Sequence, residues 1–434
     1  MGVISMPGRA IAFNGMVRKL RVDSRGATMT FFALATPILV GSAALAVEVG
    51  AWYAEKRQLQ TAADAAAIAG AFARLSGSQG GISSAALADA RKNGFDATAP
   101  NSITVNNPPQ TGASTGDSSA VEAILATPQK PMFSALFVKS GPTLTARAVA
   151  HVKLTGEACV LSLDPAASGG VTVQGSTIAD FANCTVAADS SNGSAITVTG
   201  NGALTAYSLW TAGGVSSGGS NSLTLTKPAV TYAWAVADPY AAATVGGFTG
   251  CNVTNASYKN ATMTIQPGVY CGGISFGAKA NVTMAPGTYI LNQGGLSINA
   301  QATVQGSGVT IILTSSGAAS LIGTVTINGG ANVTLSAPQS NVPGNEGLLI
   351  YQDRRASTSG SNKLNGGSTM SLAGAIYFPQ QEVQFSGNDG TTSPKCTEIV
   401  ARIVTFTGNS HIEDTGCASA GVKPITIVGV RLAE

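Results

Sequence analysis

Charge is what this chain has least of. Asp, Glu, Lys and Arg make up 10% of 434 residues, under half of the about one quarter usual in soluble domains. Gly, Ala, Ser, Thr and Asn take their place, which suits a secreted or envelope β-protein better than a cytosolic enzyme. The cations are scattered, the formal net charge is only +3, and no basic stripe forms, so the sequence argues against a nucleic-acid partner. Histidine is nearly missing. The two that occur, His151 and His411, have no Cys or His nearby at ligand spacing, so neither is expected to bind metal, and both read as exposed strand or loop residues. Apolar residues, by contrast, reach 44% with a mean hydropathy of +0.23, which argues against wholesale disorder. The length leaves room for two or three domains.

The charges that exist are placed unevenly. No side chain from Gly26 to Val47 is charged, and a bilayer takes about 20 such residues to cross. Arg9, Arg18, Lys19, Arg21 and Arg25 precede this run and Glu48, Glu55, Lys56 and Arg57 follow it. The bias puts residues 1–28 in the cytoplasm as a tail and everything past Val49 outside. A cleaved signal peptide is the competing reading, because Ala44-Leu45-Ala46 fits a cleavage site. The run is, however, longer than the about 7 to 15 residues of a signal h-region.

Helix formers continue through residues 51 to 75, with Leu59, Ala62, Ala66, Ala69 and Ala73 recurring at three- and four-residue steps. The sequence therefore predicts one helix over 29–75, roughly 70 Å long, whose outer half stands clear of lipid. Pro37 is a place where it could bend. Ser42, Ala46 and Gly50 form a small-residue stripe that would let a partner helix approach closely, or else reflect plain Ala and Gly richness.

All six cysteines (Cys159, Cys184, Cys251, Cys271, Cys396 and Cys417) lie beyond the anchor. An even number there reads as disulfides in an oxidising compartment, and the spacing suggests the local pairs 159 with 184, 251 with 271 and 396 with 417.

Residues 76–155 read as a small α+β unit. It comprises a helix over Ser84 to Asn93, strands near Ile103 to Val105 and Val121 to Leu125, a helix from about Pro131 to Lys139, and a long strand with Leu144, Ala146, Ala148, Ala150, Val152 and Leu154 on one face. From 156 to 434 no helix is convincing. Short β-branched runs alternate with Gly and Asn, and two echoes stand out. Met263 to Tyr270 resembles Val282 to Tyr289, 19 residues on, and Gly272-Gly-Ile-Ser275 resembles Gly294-Gly-Leu-Ser297, 22 residues on. A turn of roughly 20 residues with short strands is what a right-handed parallel β-helix-like head needs. A β-sandwich, whose strands recur every 8 to 12 residues or so, is the alternative.

The densest charged cluster is Asp353-Arg354-Arg355, with Glu382 and Asp389 further on. Glycoside hydrolysis needs facing carboxylates, and no spacing brings two of these together, so the cluster reads as a solvated loop.

Three N-terminal stretches carry a family resemblance: Arg25-Gly-Ala-Thr-Met-Thr-Phe-Phe-Ala-Leu34, Val47-Glu-Val-Gly-Ala-Trp-Tyr53 and Leu59-Gln-Thr-Ala-Ala-Asp-Ala-Ala-Ala-Ile-Ala-Gly70. They look like the start of Flp-type (Tad) pilus assembly proteins of the TadE/TadG group. Thr143 to Ala150 resembles the membrane-proximal region of that group. The resemblance implies a bacterial inner-membrane protein, passing once through the membrane, that assembles or anchors tight-adherence pili. Its partners would be other Tad or pilin subunits through the helix, and an external surface through the head. Two departures stand out. Phe31 occupies the position where a prepilin-peptidase site has Glu, and Asp164-Pro-Ala-Ala-Ser168 lacks the first Ser of the ion site that larger relatives build on Asp-x-Ser-x-Ser. No enzyme activity, cofactor or metal is expected. A carbohydrate-active β-helix and a stand-alone adhesin are the alternatives.

Overall fold

The computed structural model describes residues 25–75, 79–220, 222–338, 347–366, 369–389, 396–413 and 422–433. The chain is mainly β with one N-terminal apolar helix. It divides into two compact units, one of Met1–Lys153 with Gly429–Glu434 and one of Leu154–Val428. The helix and the expected 76–155 unit thus belong to a single body, which the last residues of the chain also join.

In the first unit, helix α1 (Arg25–Leu75) runs unbroken through Pro37. Its second half carries the rest of the unit. Leu59, Ala62, Ala63, Ala66, Ala67 and Ala71 are buried, because the alanine face packs against helix α2 (Ile82–Lys92) and an antiparallel sheet of Ser102–Asn106, Ala120–Pro128 and Thr143–Ser162. The sheet contributes alternate residues, Val121, Ala123 and Leu125 and their partners Ala150, Ala148 and Ala146, as period-two side-chain alternation requires. Small residues on both sides allow close approach: a Cβ on Gly70 would meet Val121 Cγ1 at 2.8 Å and Ile82 Cγ2 at 3.4 Å. On the other sheet face Glu122 is fully buried. Burial opposes its charge, but Asn106, Thr111, Arg147 and the Gln110 N–H all donate to it and hold its carboxyl at about 2.

Two expectations fail in this unit. The segment read as a helix from Pro131 to Lys139 forms only a 3₁₀ turn at Ser134–Leu136, since Pro131 and Gly141-Pro142 leave too few residues to pass the nucleation cost of a helix. Leu154 lies at 54% exposure, because the buried alternation of its strand ends near His151 and resumes at Ala158.

In the second unit every pairing between strands is parallel among the described residues, whereas a sandwich is built from antiparallel strands. The chain enters in the middle of the stack. One limb leads from Ala158 through Ile178–Ala188 and Ala203–Thr211 to Ser222–Leu225. A second starts at the opposite end with Val253–Tyr258 and returns, turn by turn, to Thr397–Glu413, which pairs with the first strands of the unit through Ile399↔Val160 and Val404↔Val171. Gly268–Phe276 and Thr369–Asp389 each pair with two different neighbours on the same side, which closes eight parallel strands into a ring.

One inward column passes through both limbs. Tyr258, Phe276, Ile298, Ile327, Leu364, Phe385, Phe406, Val173 and Val198 stand in register, each beside the next. Two residues past Phe406, Val173 and Val198 the chain turns at Gly408, Gly175 and Gly200, all at positive φ. A side chain on Gly175 would lie 3.0 Å from the Gly408 carbonyl, so here the turn and the stacking both require glycine. The sequence echoes map onto the pairing unevenly. Gly272–Ser275 and Gly294–Ser297 keep their 22-residue offset in Ile274↔Leu296, while the 19-residue offset of Met263↔Val282 becomes 21 after Pro-Gly, where Gly268 pairs with Tyr289.

The link between limbs is a strap over the outside of the turns. Trp234 packs edge-on against Trp210, Tyr240 lies against Tyr377, Asp238 accepts from Arg354 and Tyr377, and Asp189 accepts from the Val236 N–H at 2.7 Å. Burial raises the Asp189 carboxyl to about 7 with help from the negative Asp238, against the pull of the Val236 N–H. Since the folded value exceeds the ordinary 3.8, the stability it contributes is complete below about pH 4 and lost as pH rises through about 7. Asp189→Asn, which keeps an acceptor for Val236, is expected to flatten that decline and to stabilise the second unit by about 1–2 kcal/mol at mildly alkaline pH. Thermal unfolding of both proteins across this pH range checks it.

Candidate functional site

The feature that distinguishes this molecule is the first half of α1. Met29, Phe31, Phe32, Leu34, Ile38, Leu39, Val40, Leu45 and Val47 are all exposed, and they occupy every side of the helix. An all-round apolar helix that nothing in its own unit covers suits hydrocarbon, and it is the one described helix long and apolar enough to cross a membrane. Ser42, Ala46 and Gly50 are likewise exposed. The Ser42 hydroxyl donates to Ile38 and Leu39 carbonyls of its own helix, and a Cβ on Gly50 would touch nothing within 4 Å.

The apolar half ends at a fixed point. Glu48, the first charge after the run, is fully buried. Its carboxylate accepts the Met132 N–H at 2.7 Å, the Ser134 N–H at 2.8 Å and the Ser134 hydroxyl at 3.0 Å. A loop 84 residues away is thereby held to the helix where its uncharged stretch stops. One turn further, Val49, Trp52, Tyr53 and Lys56 line a hollow of about 370 Å³ with Thr143, Leu144 and Thr145, and Lys56 donates to the Thr145 carbonyl.

Residues 26–74 match the family described as putative Flp pilus-assembly TadE/G-like. The chain carries a TadE/G-like Flp pilus-assembly segment. No curated protein and no solved structure matches the chain. The TadE/G-like segment coincides with α1 and so unites two kinds of surface, the uncovered apolar half and the alanine face buried from Leu59 to Ala71. Glu48 and Gly70, both inside the stretches that carry the resemblance, have structural work there: one grips the loop and the other sets the helix-to-sheet distance.

The remaining expected residues are placed as follows. Cys159–Cys184 and Cys251–Cys271 are disulfides closing separations of 25 and 20 residues, each worth about 3 kcal/mol in the chain-entropy view. They join the first two turns of each limb. Cys396 is also disulfide-bonded, while Cys417 and the side chains of Asp389 and His411 lie outside the described residues. The Asp353-Arg354-Arg355 cluster is not a solvated loop. Asp353 is buried, with Arg355 and the Thr314 hydroxyl on its carboxylate, and Arg354 is turned to Asp238 in the strap. Asp164 accepts from the N–H groups of Ala166 and Ala167 and from Arg402, which closes its turn.

His151 is half-buried instead of exposed. Its Nε2 lies 2.8 Å from Ser114 Oγ and its Nδ1 3.2 Å from Asp117 Oδ2, the order of a nucleophile triad. The sequence signal that could have found it is Gly112-Ala-Ser114-Thr-Gly116. Two features make it a pin for the 107–119 loop. Ser114 is only 7% exposed, and the turn uses its own N–H groups, Thr115 to Gly112, Gly116 to Pro109 and Asp117 to Ser114, leaving these three unavailable as oxyanion donors. Ser114→Ala is expected to cost the first unit about 1 kcal/mol and speed amide exchange in the loop. Labelling of Ser114 by a fluorophosphonate would instead assign a nucleophile.

Glu48→Ala strips the acceptor from the Met132 and Ser134 N–H groups. It is expected to raise amide exchange of residues 131–138 roughly tenfold or more while leaving the sheet strand Ala120–Pro128 unchanged, as hydrogen-exchange mass spectrometry would read.

Proposed function

We propose that the chain is a non-enzymatic, single-span membrane component of Flp/Tad pilus assembly or anchoring. The observation that carries this reading is the TadE/G-like match over α1, whose exposed apolar half is fit to span lipid. The cationic residues before Gly26 and Glu48 beyond Val47 favour a cytoplasmic N-terminus, with everything past Val49 in the periplasm or envelope, outside a bacterial inner membrane. The disulfides agree with an oxidising compartment. The second unit is proposed to be a parallel β-helix, supported by the in-register column and the stacked turn glycines. α1 would dock with other pilus assembly or pilin helices, and the head would contact pilus subunits or an external surface.

A second reading, a surface-binding head, draws on one observation. Thr264, Thr283, Gln305, Thr334 and Ser371 stand side by side in register along one sheet and line an open hollow of about 600 Å³. Such a polar row suits a sugar or a polar protein surface as a ligand, without any catalytic carboxylate in it.

The head can be removed cleanly. Thr155 Oγ1 donates to the Ile427 carbonyl at 2.8 Å, and Ala433 N–H donates to Val149 in the first unit, so a short Gly-Ser bridge can replace residues 156–426 while the C-terminal strand stays. This deletion is expected to abolish piliation or attachment and leave membrane insertion intact. Normal pili and normal attachment in the deletant would refute the head's role.

A further inference from the structure

Among the described residues, the loop gripped by Glu48 carries the densest run of exposed large apolar side chains outside the helix. Met132 is 61% exposed, Leu136 86% and Phe137 83%, with Phe133 and Val138 at 46% each. Five large apolar side chains within seven residues face solvent, although the same unit buries its alanines. Lys130 and Lys139 bracket the run in Lys-Pro-Met-Phe-Ser-Ala-Leu-Phe-Val-Lys. The run cannot be a span, being far shorter than the about 20 residues a bilayer takes. Apolar side chains set between cations are the composition of a segment that lies in the headgroup zone, the apolar part entering the acyl boundary and the cations meeting anionic lipid.

Position decides between lipid and a protein partner as the occupant. Glu48 fixes Met132 and Ser134 to the helix residue directly after Val47, where the uncharged run ends. Any bilayer that contains residues 26–47 therefore has its outer boundary at the level of this loop. Trp52, Tyr53 and Lys56, one turn beyond, are the residue types that collect at that boundary.

We propose that residues 131–138 form a second membrane contact, docking on the anionic outer surface of the same bilayer that α1 crosses. This inference rests on the membrane-spanning reading of α1. Two attachment points, one through the bilayer and one on it, fix the first unit against tilting and rotation where a lone helix would leave it free to swing.

The full chain, reconstituted in phosphatidylcholine vesicles containing phosphatidylglycerol, provides the test, with the photoreactive p-benzoylphenylalanine placed at Phe137 or, separately, at Phe32. Phe32 reports the span and Phe137 the loop. Both are expected to yield phospholipid adducts by mass spectrometry. In Lys130→Glu/Lys139→Glu the Phe137 adduct should fall roughly tenfold while the Phe32 adduct is unchanged. An adduct at Phe32 without one at Phe137 overturns the docking and leaves the span standing. Absence of both overturns the span and the docking with it. In cells, a Phe137 crosslink chiefly to a protein would give the loop to a partner and refute the lipid contact.

Discussion

Stacking in register is the constraint on which the second unit depends. A turn of this kind cannot bury its inward face alone; Val173 is dry only because Phe406 lies on one side and Val198 on the other. The seam between Thr397–Glu413 and the first strands of the unit, to which Phe406 and Val173 belong, is the critical one, since it joins a turn made near the end of the chain to one made at the start of the unit. Without it there would be two shorter stacks, each with an open apolar end. The strap performs the same joining on the outside, where Tyr240 and Asp238 reach Tyr377 and Arg354 across turns that the sequence separates by more than a hundred residues. Cys159–Cys184 and Cys251–Cys271 each close the opening step of a limb, and among the described residues the second does so where a turn has a neighbour on one side only.

The first unit depends on a different economy of space. Its helix is lined with alanine and held close to the sheet, with Gly70 against Val121 and Ile82, so the attraction comes from many small contacts at short range and tolerates no bulk. Glu122 and Glu48 show how the unit deals with the acids this arrangement buries: each carboxylate is surrounded by donors.

Much of this was legible in the sequence where local chemistry sets the outcome. An uncharged run long enough to cross lipid, cysteines about a turn apart, and an apolar residue followed two places later by Gly as in Val173 to Gly175 and Val198 to Gly200 are all signals within reach of a short window. What escaped depends on partners far along the chain. Entry into the middle of the stack is set by pairing between residues 173 and 406, for which no nearby pattern exists. Glu48 reads as a flanking charge until the loop at 132–134 arrives to occupy it, and that loop looks helical by composition because its apolar residues have no periodic face to fill. His151 and Ser114 meet because a turn with two positive-φ glycines, Gly112 and Gly116, folds back over the strand, a geometry that spacing alone does not announce.

The position of Thr155 beside Ile427 has a mechanical corollary. The larger unit is an insertion, so its chain leaves through one covalent connection and comes back through another a hydrogen bond away. Any tug on it from outside is divided between two peptide tethers pulling side by side, and the sheet of the smaller unit receives the force as a pair of adjacent strands instead of a single thread that could be unzipped from one end.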